Sequence, residues 1–104
     1  MKRIIDGKRY DTETAEQVTT IGSLPGTSRT DFRYWEADLY RTPRGRWFLS
    51  GRGGPATMFS RPDGSGMTSG GGGIIPISDT EAQEYLEDDR NVEALELWFA
   101  IEEA

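Results

Sequence analysis

Without histidine or cysteine the reactive side chains of a protein are few, and this chain has neither. The commonest general base, the commonest metal ligand, disulfides and thiol nucleophiles are all excluded. Carboxylates, guanidinium groups, hydroxyls and the amines of Lys2 and Lys8 remain, and no nucleophile–base spacing stands out among them. The segment Asp79 to Ala104, DTEAQEYLEDDRNVEALELWFAIEEA, holds ten acids and a single base, Arg90, a net of −9. The residues before it hold eight acids and eleven bases, a net of +3. Paired carboxylates can do acid–base chemistry across a cleft. No pair stands apart from the others, and a chain of 104 residues leaves little room for a substrate cleft. Glu84 with Asp88 and Asp89 could ligate Mg²⁺ or Ca²⁺, but the DxDxDG spacing of a calcium loop is absent. The expectation is a non-enzyme with no catalytic residue, metal or cofactor.

Such an acidic run ordinarily serves solubility. Its sharper reading is a surface that meets Lys and Arg on a nucleic-acid-binding partner, in place of phosphates. Glu81, Glu84, Glu87, Asp88 and Asp89 would form that surface.

Two other patterns could carry chemistry. Arg29, Arg33, Arg41, Arg44, Arg46 and Arg52 are interleaved with Phe32, Tyr34, Trp35, Tyr40 and Trp47. That is the composition of a single-strand-binding sheet, with Arg33, Arg41 and Arg46 as its contacts. The structural alternative is one aromatic face used for the core and arginines flanking a turn. The stretch 61–73, RPDGSGMTSGGGG, could offer backbone N–H groups to phosphate. It lacks the GxxxxGK[ST] pattern, and its simpler reading is a flexible surface loop.

These residues need elements to hold them. Ser78 with Glu81 three residues on has the form of a capping box, which predicts a helix beginning at Asp79. At 100° per residue Ala82, Tyr85 and Leu86 share one arc, and Glu81, Glu84, Glu87 and Asp88 lie nearly opposite. Asp88 to Asn91 reads as a break, with Asn91 the N-cap of a second helix. There the apolar arc of Val92, Leu95, Leu97, Trp98, Phe99 and Ile101 covers more than half the circumference. It is either buried in this domain or covered by another chain, and Leu95, Trp98 and Ile101 are the candidates for a homodimer contact.

Upstream, Lys2 to Thr12 reads as a hairpin closed by Asp6-Gly7. Thr12 to Val18 reads as a short helix capped by Asp11 or Thr12. Thr30 to Thr42 and Arg46 to Ser50 form the central hairpin around a type I turn, Thr42-Pro43-Arg44-Gly45. Trp35, Ala37 and Leu39 share one face by period two. Thr57 to Ser60 suggests a third strand, and Ile74 to Ile77 an edge strand because of Pro76. The core is expected from Trp35, Leu39, Trp47, Leu49, Ile75, Ile77, Leu86, Leu95, Trp98 and Phe99. The architecture is therefore α+β over one domain, 1–104. A small antiparallel sheet of three to five strands carries a short N-terminal helix and one or two C-terminal helices packed on one face. No apolar run approaches membrane-spanning length, and Met-Lys-Arg is followed by only two apolar residues, so a soluble cytoplasmic protein is expected.

The opening Ile5-Asp6-Gly7-Lys8-Arg9-Tyr10-Asp11-Thr12-Glu13-Thr14-Ala15 resembles the start of small proteins carried by bacterial phages, plasmids and integrative elements, "I-[ND]-G-K-x-Y-D-T-x-T-A". Further matching pieces are Glu36 to Thr42, Gly45 to Leu49, Gly53-Gly54, and Ile74 to Ser78 before Glu81-Ala82. Proteins of this cargo type include inhibitors of host defence, anti-CRISPR proteins among them. The resemblance implies a non-enzymatic protein in a bacterial host cell that occupies a surface on a protein or ribonucleoprotein effector. It transfers no functional residue. The acidic helical surface suits that role. The alternative is a single-strand nucleic-acid-binding accessory protein using the arginine–aromatic sheet.

Overall fold

The computed structural model describes all 104 residues. They form, in order, β1 (Lys2–Ile5), β2 (Lys8–Asp11), β3 (Glu16–Gly22), β4 (Trp35–Arg41), β5 (Trp47–Gly53), β6 (Arg61–Pro62), β7 (Thr68–Ser69), β8 (Gly71–Ile77), α1 (Asp79–Asp88) and α2 (Val92–Trp98). The class is α+β. A four-stranded antiparallel sheet has the order β3-β4-β5-β8, and β1–β2 and β6–β7 are separate two-stranded ribbons. No helix is long and apolar enough to cross a membrane.

The turns follow their residues. Asp6 and Gly7 both have positive φ, 51° and 74°, the requirement of a two-residue type I′ hairpin. In the β4–β5 turn the Gly45 N–H donates to the Thr42 carbonyl at 2.9 Å, and Gly45 has φ +85°. The Thr42 N–H then donates to the Arg46 carbonyl at 2.7 Å, so the turn closes with glycine in the left-handed position. Midway along the hairpin Gly51 lies opposite Ala37. A Cβ on Gly51 would stand 2.5 Å from the Ala37 Cα, so the two strands meet this closely only with glycine there.

The sheet is covered on both sides. On one, Ala37, Leu39, Trp47 and Leu49 join Phe59, Ala82, Leu86 and Ala94 in a buried cluster. Trp35, Ile75, Ile77, Leu95, Trp98 and Phe99 pack against it, so all ten expected core residues belong here. Trp47 is held edge-on by Trp98 and stacked by Phe99, with centroids 5.7 and 5.6 Å away. On the other side the β1–β2 ribbon supplies Tyr10 to a smaller cluster with Phe48 and Ile74. Phe48 meets Tyr10 edge-on at 5.6 Å and stacks on Tyr40 at 5.0 Å.

β8 is an edge strand, as Pro76 suggests. The Arg3 guanidinium donates to the Ile74 carbonyl at 3.2 Å, and Arg61 donates to the Gly72 carbonyl.

Several expectations are corrected. There is no N-terminal helix. Asp11 does begin a turn, its carboxylate accepting from the Glu13 N–H and its carbonyl from the Ala15 N–H, but only one turn forms. Glu16 to Gly22 then runs as β3, because a run rich in Thr and Val pairs with β4 more favourably than it sustains so short a helix. A bulge at Val18 lets the register shift between Gln17 and Thr19. β4 starts at Trp35 rather than Thr30, since the Asp31 carboxylate accepts the Arg33 N–H at 2.8 Å and holds the preceding residues in turns. Thr57 to Ser60 is not a strand; Thr57 and Ser60 N–H groups close successive turns. The 61–73 stretch, expected as a loop, contains the β6–β7 ribbon and the first three residues of β8.

Candidate functional site

The helical end is built as its residues dictate. The Ser78 hydroxyl accepts the Glu81 N–H at 3.1 Å, and the Glu81 carboxylate accepts the Ser78 N–H at 3.0 Å. This capping box starts α1. Asn91 accepts the Ala94 N–H at 3.0 Å and starts α2, after Arg90 turns the chain with φ 57°. Ala82 and Leu86 are fully buried. Glu81, Glu84, Glu87, Asp88 and Asp89 are all exposed on the outer side.

None of the five pairs with a base. The molecule has two salt bridges, Arg33–Asp31 at 3.1 Å and Arg52–Glu36 at 2.8 Å, both away from this surface. Three of the carboxylates have neutral partners. Glu81 is engaged at the cap, Glu87 accepts from Gln83 at 3.2 Å, and Asp89 accepts from Thr19 at 3.1 Å. Glu84 and Asp88 have none, and they stand four residues apart, about 6 Å along the helix axis. Burial, then the negative charges of Glu81 and Glu84, push the Tyr85 phenol above its ordinary value. No group of three carboxylates is placed to hold a metal ion.

The apolar arc of α2 divides. Leu95 and Trp98 are half-buried against the domain's own core, and the Arg41 guanidinium lies over the Trp98 ring at 5.6 Å. The helix ends at Trp98, so Ile101 lies beyond it, 51% exposed. Val92 and Leu97 are the other exposed large apolar residues of this segment.

Arg33, Arg41 and Arg46 are not brought together as one surface. Arg33 is bonded to Asp31 before β4 begins, and Arg41 closes that strand against Trp47 and Trp98. Arg46 is exposed past the turn. The sheet offers no open stacking platform, because Trp47 and Phe48 are buried by the two covering layers. Phe32, 70% exposed, is the one aromatic ring standing out of the surface.

Sequence reading missed the place where Arg46 does gather with other bases. The β1–β2 turn and the β4–β5 turn flank a concavity of about 440 Å³ lined by Gly7, Lys8, Arg9, Tyr10, Thr42, Pro43, Arg44 and Arg46. Four of these eight residues are cationic and none is acidic. The signal in the sequence was two hairpin turns each with two bases in or just after it, Lys8-Arg9 and Arg44 with Arg46, but their meeting depends on how the ribbon docks.

Comparison with family models, with characterised proteins and with solved structures finds no match to this chain.

Proposed function

We propose that the protein is a non-enzymatic inhibitor that binds a host nucleic-acid-handling defence complex, most specifically a CRISPR effector, through the acidic face of α1. One observation carries the reading. Glu81, Glu84, Glu87, Asp88 and Asp89 are all exposed along α1 and its C-cap, and no base of this chain forms a salt bridge with any of them. A rigid, capped helix presents charge at low entropic cost. Its carboxylates fit the Lys and Arg that such an effector uses to hold phosphates, and complementary charge accelerates encounter. The cytoplasm of a bacterial cell is where that partner resides.

The test is a pull-down from lysate containing CRISPR effector complexes, with and without nuclease, using the natural chain and an E84K/E87K/D88K variant. Glu81 is left intact because it caps the helix. Recovery of effector by the natural chain in both conditions, and loss with the variant, supports the proposal. Equal recovery by the variant at physiological salt removes the acidic face from the interaction.

A further inference from the structure

The basic concavity between the two hairpin turns has no part in the acidic face. The β1–β2 ribbon packs on Phe48 and Ile74, the side of the sheet opposite the Trp47 and Leu49 cluster that includes α1 and α2. Lys8, Arg9, Arg44 and Arg46 line it, and all four are exposed and free of salt bridges. Four positive charges held this close repel one another, a cost that a bound anion would relieve. The scaffold beneath is firm. Gly7 and Gly45 occupy the left-handed positions of tight turns, and the Arg46 N–H donates to the Thr42 hydroxyl at 3.0 Å.

The lining also says what kind of anion fits. Tyr10 is its one aromatic ring, and that ring is 6% exposed and packed edge-on against Phe48. It is not free to stack on a base. Threonine, proline and glycine complete the wall, so no carboxamide offers the paired donor and acceptor that read a base edge. Charge without stacking or edge recognition suits phosphate groups in a row. We infer that this concavity binds consecutive phosphates through Lys8, Arg9, Arg44 and Arg46, supplied either by a nucleic-acid backbone or by a free polyphosphate.

The inference stands apart from the acidic face and is tested without any effector. Binding of the natural chain to a labelled 20-nucleotide single strand, the matching duplex and tripolyphosphate is measured by anisotropy and calorimetry from low to physiological salt. A K8Q/R44Q/R46Q variant is run beside it, with R33Q/R52Q as a control whose arginines lie at the two salt bridges. Folding of each is checked by its circular dichroism and melting. Binding to both strand forms, abolished in K8Q/R44Q/R46Q and kept in the control, establishes a backbone site. In single-residue variants the slope of log affinity against log salt would then fall by about 0.9 for each duplex phosphate that is no longer neutralised. Binding to tripolyphosphate alone, with the same loss, supports the site with a free polyphosphate as its ligand. No binding to any of the three at low salt overturns it, and so does binding that the folded triple variant retains.

Discussion

The two sides of the sheet solve the same packing problem with different means. The helical side buries eight residues from β4, β5, the segment after β5, and both helices, and ends in an acidic exterior. The ribbon side buries three, Tyr10, Phe48 and Ile74, and ends in a basic rim. A thick layer shields its outer charges from the sheet and can carry them as a free display. A thin layer depends on a few aromatic contacts, so the positions of Lys8 and Arg9 depend on the edge-on contact of Tyr10 with Phe48. The display on the first side thus stands on a deep core, and the rim on the second stands on the docking of one small ribbon.

Substitutions can break that contrast. The largest effect is expected at Phe48, the centre of the smaller cluster. Phe48→Ala should cost about 3–5 kcal/mol in urea unfolding and weaken anion binding at the rim. A variant that keeps both intact would show that the ribbon docks without it. Gly51→Ala should cost about 1–3 kcal/mol by forcing β4 and β5 apart, which the shift of the urea midpoint measures. This affects both sides at once. Ser78→Ala removes the cap of α1 and should cost about 1 kcal/mol, read in the same experiment, with the ribbon side unaffected.

A smaller effect is set by acid. The hydrogen bonds from Arg52 and then Tyr34 hold the Glu36 carboxyl below its ordinary value. Its contribution is therefore complete above the ordinary glutamate range and is lost as the pH falls through the depressed value. Arg52→Gln should flatten the acid limb of a stability–pH curve below about pH 4. The smallest stability change belongs to E84K/E87K/D88K, within about 0.5 kcal/mol per site, although it should abolish partner binding. A large destabilisation would mean that the acidic display is tied to the core after all.

The helical side was legible in the sequence because its signals are local. Ser78 and Glu81 are three residues apart, Asn91 and Ala94 likewise, and the period of Trp35, Ala37 and Leu39 is read along one strand. The ribbon side was not, because Tyr10 meets Phe48 and Ile74 only through docking of distant segments. Phe48 lies on the face that a half-solvated sheet would expose, so period two alone leaves it unassigned. The helix expected at Thr12 to Val18 fails for the same reason. Its turn at Asp11 is local and legible, while the pairing of β3 with β4 that overrides it is not. Order in the chain groups the arginines one way, but the turn geometry sorts them differently and places Arg44 and Arg46 beside Lys8 and Arg9.

The outer margin of β8 has one more consequence. A bare edge strand is a template on which another chain can extend a sheet, the first step of swapping or fibre growth. Here the Ile74 carbonyl is occupied by Arg3, the Gly72 carbonyl by Arg61, and Pro76 has no N–H to give. The strand is closed to newcomers at three successive alternate positions. The chain is thereby guarded against polymerising by strand addition along that margin.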